Sequence, residues 1–275
     1  MRKKVLTAMC CVAALLSLIS CKTNQNREHQ TLANDNSSSN KITVGSPIFA
    51  PYFYVGQDGQ FTGADEEIAK EAFKRMGIDA VFEEMVWGER DRLLESGEID
   101  CIWGCFVMDG REDRYQWAGP YLTSQIAAVV SADSEIQAVD DLNGKSVAVR
   151  IDSKAEEFLE GKIKNTSPIP EKIATFNSMR EAFVWFGKGY ADAVVDHRAA
   201  LIELTKEKPE LYRFLDESLF TVNLGVAFQT DYDSTIVDNL TKVLDEMTAD
   251  GTISQIEKKY QLNEDKEQGE TADGR

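Results

Sequence analysis

Residues 51–77 read PYFYVGQDGQFTGADEEIAKEAFKRMG, and this stretch decides the fold class. Its second half predicts an amphipathic helix from about Ala64 to Met76, because apolar residues recur at the spacing of one helical face. The flanking segments 41–45 and 80–84 are short and rich in β-branched and apolar residues, which is typical of strands. A strand, a helix and a second strand predict a parallel β-α-β unit. The apolar face consists of Ile68, Ala69, Ala72, Phe73 and Met76.

The same alternation of strands and helices continues along the chain. Ser153 and Ser178 each precede a glutamate by three residues, which is the capping-box pattern of a helix start. In sheets of parallel strands flanked by helices, ligands bind beyond the carboxyl ends of the strands. Further strands are predicted near residues 99–103, 146–151, 191–195 and 222–228, and further helices near residues 88–95 and 233–249.

The first 20 residues have the layout of a bacterial secretion signal, with three basic residues before the apolar run 5–19. The segment Leu18-Ile19-Ser20-Cys21 resembles the lipobox of bacterial lipoproteins, in which the cysteine thiol receives a diacylglycerol and the preceding peptide is removed. We therefore predict a signal peptide at residues 1–20, a lipidated Cys21, and an extracytoplasmic protein held to a membrane by its lipid. An uncleaved transmembrane anchor is the alternative, but the run is shorter than the roughly 20 residues that a span requires.

The chain is strongly acidic, with a formal net charge of −17. An acidic surface repels phosphate backbones and anionic lipids, so we expect no nucleic-acid partner, and only the acyl chain would hold the protein to a membrane. Residues 21–40 are polar and predict a disordered tether, and residues 263–275 predict a disordered tail. The folded part between them is long enough for one large domain or two small ones, and we expect a monomer.

Two cysteines, Cys101 and Cys105, follow Cys21 in the folded part. On a strand their Cα atoms would lie about 13 Å apart, whereas a disulfide needs less than about 7 Å. Gly104 could permit a turn, so the sequence leaves the pairing open. With two histidines in the chain and no cluster of ligating residues, we expect no metal site and no cofactor.

Six segments, in one order, resemble the family 3 extracellular solute-binding proteins, which are the polar amino acid receptors of ABC transporters. Each segment alone is a weak signal, but together they span residues 41–262. The six are residues 51–77, VWGERDRLLESGEIDCIWG at 86–104, REDRYQWAGPY at 111–121, DDLNGKSVAVR at 140–150, GYADAVVD at 189–196, and LGVAFQTDYD with MTADGTISQIEKKY at 224–233 and 247–260.

The resemblance implies an α/β, two-lobed periplasmic-binding-protein fold of type II. Each lobe would be a mainly parallel sheet flanked by helices. Lobe 1 would hold residues 41–124 together with 222–262, and lobe 2 would hold residues 125–221. Two crossing strands near 123–127 and 220–224 would form the hinge, and closure of the lobes would trap a ligand between them.

The resemblance also implies how the two charges of an amino acid are bound. Arg111, six residues before Trp117, matches the family arginine that grips the carboxylate through two parallel hydrogen bonds. Arg114 is the alternative if the register is shifted, and a surface arginine is the simplest non-functional interpretation. Asp196, at the end of an apolar strand, would bind the ammonium, although Asp192 and a helix N-cap role for Asp196 stay open.

Ser153 stands where the family has a threonine that helps to hold the carboxylate at a helix N-terminus. Its capping role competes for the same oxygen, and Asp152 replaces the family glycine, where a carboxylate would repel the ligand unless it is turned away. The other implied ligand contacts are aromatic side chains or parts of the pocket wall. They are Tyr52, Phe53, Trp87, Gly104 and Met108.

The resemblance implies a receptor that captures an amino acid or a close relative and delivers it to an ABC transporter permease. Such a protein binds and closes without breaking a bond, so we expect no enzymatic activity. Two alternatives are a lyase or dehydratase on the same fold and a sensing module for a signalling partner. The cleft segments offer no Ser-His-Asp order that would favour the enzyme.

Overall fold

The computed structural model describes residues 40–163, 168–216 and 218–262. The described residues belong to one compact unit that begins at Ser39. The predicted signal peptide, Cys21, the rest of the tether up to residue 39 and the tail 263–275 lie outside the described residues. Over the part that is described, no helix combines the length and the apolar character that crossing a bilayer requires.

Strands and helices alternate along the described chain, as the sequence predicts. Short 3₁₀ turns lie at Trp87–Glu89, Val139–Leu142 and Pro209–Leu211. The helices are α1 (Ala64–Arg75), α2 (Arg90–Ser96), α3 (Lys154–Leu159), α4 (Met179–Gly187), α5 (Arg198–Thr205), α6 (Ser234–Ala249) and α7 (Thr252–Lys259). The strands are β1 (Lys41–Ser46), β2 (Tyr54–Val55), β3 (Phe61–Thr62), β4 (Asp79–Glu84), β5 (Cys101–Ile102), β6 (Gln116–Ser131), β7 (Ser146–Arg150), β8 (Lys172–Phe176), β9 (Ala193–His197), β10 (Tyr212–Phe214) and β11 (Phe220–Phe228).

Nine strands of the described chain join in one sheet, in the order β4-β1-β5-β11-β6-β9-β7-β8, with β10 paired to β6. β1 runs parallel to β4 and β5, and β7 runs parallel to β8 and β9. Parallel neighbours need a crossover that carries the chain back, and helices such as α1 and α4 lie in these connections. Two parallel trios, joined by two long antiparallel strands, form the two-lobed fold that the sequence predicts.

The joining strands are β6 and β11, which pair antiparallel with each other. Along β6, Thr123 lies opposite Asn223 and Ile126 lies opposite Phe220. Beyond this point β6 continues and pairs with β9 in the second trio. The two segments predicted to form the hinge are therefore neighbours in the sheet. The exact limits of the two lobes stay a prediction.

Helix α1 matches its predicted span to within one residue, and its predicted apolar face is buried except for the partly buried Met76. Its start depends on Gly63, which has a φ of 131°. A Cβ atom at this position would lie 2.2 Å from the backbone oxygen of Tyr52, so only glycine fits. This close approach fixes the first loop against the beginning of the helix.

Two apolar clusters fill the interior. The larger cluster covers both faces of the sheet and includes residues from both trios, such as Val44 and Val149. The smaller cluster lies under the loops that follow β4 and β5. It contains Met85, Trp87, Leu94, Ile99, Ile102, Phe106, Tyr115 and Ala227.

Three local features differ from, or complete, the sequence prediction. The strand predicted at residues 99–103 is reduced to β5, because only Cys101–Ile102 have partners on both sides. Cys101 and Cys105 are buried free thiols, which answers the pairing that the sequence left open. The capping box predicted at Ser153 is only half formed, since the Glu156 carboxylate accepts a hydrogen bond from Asp152 N instead of Ser153 N. At Ser178 the box is complete.

Candidate functional site

The candidate site lies where several strands end at their carboxyl side. Trp87 follows β4, Phe106 and Arg111 follow β5, and Arg150 and Asp196 lie at the ends of β7 and β9. Direct contacts join these side chains. The ring centroids of Trp87 and Phe106 are 5.0 Å apart, and the guanidinium carbon of Arg150 lies 5.0 Å from the Trp87 ring. The side chains at this edge of the sheet therefore form one connected, buried set.

Arg111 is buried, with 4 % of its surface exposed. Its Nη2 donates to the Glu157 carboxylate at 2.6 Å and to the Asp152 backbone oxygen at 3.0 Å, and its Nη1 donates to the Val107 oxygen at 3.3 Å. Burial lowers the pKa of Arg111, and the negative charge of Glu157 opposes that fall. The alternative, Arg114, has a largely exposed side chain that reaches Asp91 at 3.5 Å. Both arginines have a carboxylate partner, so it is burial that favours Arg111.

Asp196 is fully buried at the end of β9. Its Oδ1 accepts a hydrogen bond from His197 N at 2.7 Å, while no hydrogen-bond donor for Oδ2 exists among the described residues. The nearest cation, Arg150, places its Nε 3.6 Å from Oδ2. Burial raises the pKa of the Asp196 carboxyl, and Arg150 opposes this rise. Asp192, the alternative, is exposed and accepts a hydrogen bond from Ser146 N.

A second group of rings lies beside Asp196. The rings of Tyr52 and Phe49 stack nearly parallel, with centroids 5.7 Å apart, and the His197 ring meets Tyr52 edge-on at 6.1 Å. Ser124 Oγ lies 3.1 Å from the Tyr52 hydroxyl and 2.8 Å from His197 Nδ1. Burial, with a smaller contribution from Arg150, holds the pKa of His197 well below its usual range, so this ring is neutral. Tyr52 and His197 are thus linked through one serine.

Ser153 is buried at the N-cap of α3, where its hydroxyl accepts a hydrogen bond from Glu156 N at 3.1 Å. The neighbouring Asp152 is the departure from the family pattern, and its side chain is 56 % exposed. One of its carboxylate oxygens accepts from Arg90 Nη1 at 3.4 Å. Its negative charge is therefore directed at an arginine.

Three other predicted contacts pack against their own neighbours. Phe53 stacks on Phe61, with centroids 4.7 Å apart, in the interior of the fold. A Cβ atom on Gly104 would lie 2.5 Å from Pro47 Cδ, and one on Gly225 would lie 2.5 Å from Met108 Sδ. The structure brings Arg111, Asp196, Ser153, Tyr52 and Trp87 to one edge of the sheet. A ligand role for any predicted site residue stays a prediction.

Comparison with known proteins assigns this chain to one family. Residues 42–263 match the model of the bacterial extracellular solute-binding proteins, family 3. The chain belongs to this family. The L-cystine-binding protein TcyJ of Escherichia coli K12 is 26 % identical over 215 residues, covering 77 % of this chain and 79 % of that protein. The putative amino-acid ABC transporter-binding protein PatH of Vibrio harveyi is 30 % identical over 233 residues, covering 81 % and 89 %.

Solved structures agree with the family assignment. An ancestral arginine-binding protein bound to arginine is similar with a TM-score of 0.72 and 26 % identity, over 80 % of this chain and 98 % of that one. A Streptococcus pneumoniae substrate-binding protein with bound histidine is similar in fold, with a TM-score of 0.73 and 21 % identity over 81 % and 93 % of the chains. The predicted two-lobed fold is thereby confirmed for this solute-binding protein.

The relatives also bear on the predicted absence of enzymatic activity. They are named as binding proteins, and this confirms the prediction that the solute-binding protein is not an enzyme. The lyase alternative has weaker support, from a solved structure of similar fold that is described as an ancestral amino acid-binding protein and a precursor of cyclohexadienyl dehydratase, with a TM-score of 0.70 and 24 % identity. In the described ranges no group of His, Cys, Asp and Glu side chains is placed to hold a metal ion. The arrangement of charges and rings is suited to holding a small polar molecule.

Sequence reasoning missed several residues at the site of this solute-binding protein. Arg150 ends the apolar run Val147-Ala148-Val149, and an arginine at the carboxyl end of a buried strand is a signal that could have identified it. Arg90 occupies a buried position on α2 and reaches Asp152. Phe49 and Glu157 gave no local signal, because their partners are distant in the sequence.

Proposed function

We propose that this solute-binding protein is a lipid-anchored extracytoplasmic receptor that captures an amino acid between its lobes and delivers it to an ABC transporter permease. One observation carries the proposal. Arg111 and Asp196, two buried groups of opposite charge, belong to one set of contacting side chains. A free amino acid has a carboxylate and an ammonium on one carbon, and both charges need partners once water is excluded.

The hydrogen-bonding state of the two groups supports their roles. Arg111 has a buried Nε that lacks a partner among the described residues, and Asp196 has the unpartnered Oδ2. The first is a donor for a carboxylate, and the second is an acceptor for an ammonium. The bond between Arg111 and Glu157 supports the idea that the guanidinium receives a carboxylate at this position. The carboxylate of a bound ligand would share Arg111 with Glu157, or it would take the place of Glu157.

The relatives support the class of ligand. TcyJ is named for cystine and PatH for amino acids, and the ancestral relative holds arginine. The direct test is calorimetry of residues 22–275 with the twenty amino acids and cystine. We expect at least one to bind, with an affinity that Arg111→Ala reduces on the order of 100-fold, as for removal of one partner of a buried ion pair.

Arg114→Ala is the matched control for that experiment, since it removes the same charge from an exposed position three residues away. It should change the affinity by less than about threefold, the effect of an exposed charge. If Arg111→Ala bound the ligand as tightly as the unmodified protein, the carboxylate would have to bind elsewhere. If no amino acid bound at all, the proposed function itself would be wrong.

The lipid anchor is tested separately. Export from a bacterial host supplied with labelled palmitate should place the full chain in the membrane fraction with the label attached, and Cys21→Ser should remove the label. Cys10→Ser is the control, because Cys10 lies within the predicted signal peptide and should leave the membrane association unchanged. An unmodified chain that lay in the membrane without any label would favour the uncleaved transmembrane anchor.

A further inference from the structure

Arg150 is a buried cation that none of the sequence motifs explains. It lies at the end of β7 with 3 % of its surface exposed. Its guanidinium carbon is 4.2 Å from the centroid of the Phe49 ring and 5.0 Å from that of the Trp87 ring. The two rings follow β1 and β4, in the other parallel trio. Arg150 therefore reaches across the boundary between the two trios, at the candidate site.

The described residues leave this guanidinium largely without hydrogen bonds. Both Nε and Nη1 of Arg150 are buried and lack a partner. Asp196 is the nearest carboxylate, but the 3.6 Å between its Oδ2 and Nε exceeds a hydrogen bond, and Nη1 has no acceptor. A buried guanidinium with unused donors is destabilising unless an acceptor arrives with a ligand.

The balance of charge at the site also favours an anion. Arg90, Arg111 and Arg150 are each at most 4 % exposed. Arg90 and Arg150 both lie against Trp87, and Arg90 and Arg111 both lie against Phe106. The carboxylates that contact these arginines are the fully buried Asp196 and the partly exposed Glu157, Asp152 and Asp91. The cations outnumber the buried carboxylates, although the chain as a whole has a net charge of −17.

Arg150 differs from the other two arginines in its hydrogen bonds. Arg111 donates to Glu157 and to two backbone oxygens, and Arg90 donates to Asp152 and to the Trp87 oxygen. Both hold the two trios together through residues of the opposite side. Among the described residues, Nε and Nη1 of Arg150 have no hydrogen-bond partner, and its contact with Asp196 is 3.6 Å long, so these two donors are available.

We propose that the ligand is an amino acid with a second carboxylate, and that Arg150 binds this second carboxylate. The inference rests on the proposed function, in which Arg111 and Asp196 hold the α-carboxylate and the ammonium. A charge-assisted hydrogen bond from Nη1 or from Nε of Arg150 to a ligand carboxylate would satisfy a donor that the described residues leave unused. A ligand with a cationic side chain would instead meet Arg150 at close range and be repelled.

The test compares dicarboxylic amino acids with their amides on residues 22–275, by calorimetry. Aspartate is paired with asparagine and glutamate with glutamine, since each pair differs in the second acidic group alone. We expect one of the two acids to bind at least about tenfold more tightly than its amide, the selectivity of one charged partner. Amides that bind as tightly as the acids, or arginine as the tightest ligand, would overturn the inference on the unmodified protein.

The variant Arg150→Gln tests whether Arg150 causes the preference for the acid over its amide. This variant should bind the acid and its amide with nearly equal affinity, while its affinity for the amide stays within about threefold of the unmodified protein. Arg150→Lys should retain part of the preference for the acid. Arg114→Gln, which removes the same charge from an exposed site, should keep the preference. If Arg150→Gln weakened acid and amide equally, Arg150 would hold the α-carboxylate and the inference would be wrong. If no amino acid bound the unmodified protein, the proposed function would fail first.

Discussion

Two buried aspartates of this protein have opposite hydrogen-bonding states. Asp65, in the first turn of α1, is 1 % exposed, and Asp196, at the end of β9, is 0 % exposed. Asp65 accepts hydrogen bonds on both oxygens, from the Tyr121 hydroxyl at 2.8 Å and from Cys105 N at 2.6 Å. Asp196 accepts one, from His197 N, and leaves its other oxygen without a hydrogen bond among the described residues.

The difference distinguishes a carboxylate that stabilises the fold from one that is available to a ligand. A buried carboxylate whose oxygens are both satisfied connects parts of the fold, and here Asp65 ties α1 to the loop after β5 and to β6. A buried carboxylate with one free oxygen is costly to keep unless something else uses that oxygen. Both residues would be called buried acids from burial alone, and only the accounting of their hydrogen bonds tells them apart.

The largest expected effect is on ligand binding by Asp196→Asn. Removing one charge of a buried pair weakens binding by roughly three orders of magnitude, or about 4 kcal/mol. The stability of the empty protein should fall as well, because the substitution leaves the buried Arg150 without its nearest carboxylate. Calorimetry with the identified ligand and urea unfolding measure the two effects. A large loss of stability with unchanged affinity would make Asp196 an architectural residue like Asp65.

Asp65→Ala should show the converse behaviour. At pH 5 it leaves the Cys105 N–H and the Tyr121 hydroxyl unpaired in the core, and we expect a loss of about 3 kcal/mol of unfolding free energy. Ligand affinity should change by less than about threefold. Tyr121→Phe, which removes one of the two donors, should cost about 1 kcal/mol. Weaker ligand binding without a loss of stability would contradict the assigned role of Asp65.

The pH dependence of stability gives a third, smaller effect. Burial raises the pKa of Asp65 to about 7, while hydrogen bonds from Tyr121 and Cys105 oppose the rise. A carboxyl with a raised folded-state pKa stabilises the protein at low pH, and this stabilisation is lost as pH rises towards about 7. From pH 5 to pH 7 the contribution should fall by about 2 kcal/mol. Asp65→Asn should remove that slope in urea unfolding, and an unchanged slope would assign it to other groups.

The sequence predicted the parts of the molecule whose polar groups have all their hydrogen bonds better than the parts whose polar groups lack one. Helix α1 follows from the periodicity of its apolar residues, and Ser178 follows from a local capping pattern, because both depend on neighbours within a few residues. Asp196 was identifiable because it ends an apolar strand at the side where parallel sheets bind ligands. The family motifs supplied Arg111.

The rest depended on contacts between distant residues. Arg150 meets Phe49 and Trp87, and Arg111 meets Glu157, through the packing of the two parallel trios against each other. No local pattern encodes such pairs. An arginine in the sequence is expected to be exposed, so the presence of three buried arginines at one edge became visible only with the fold.

The smallest expected effect concerns two serines that cap helices. They repeat the contrast between the two aspartates, since one has all its hydrogen bonds and the other lacks one. Ser178 uses its hydroxyl fully, since it accepts from Glu181 N and donates to the Glu181 carboxylate. Ser153 accepts from Glu156 N, and the hydrogen bonds of the described residues give its proton no acceptor. Replacing either serine with alanine should cost about 1 kcal/mol of unfolding free energy through the lost cap.

Ligand binding should distinguish the two serines. The free proton of Ser153 is available to a ligand carboxylate, so Ser153→Ala should weaken binding by about tenfold, the value of one hydrogen bond to a charged group. Ser178→Ala, whose hydroxyl has both partners within its own helix turn, should leave the affinity unchanged. Equal affinities for both variants would restrict Ser153 to capping α3, and the contrast between satisfied and unsatisfied groups would then hold for the buried charges alone.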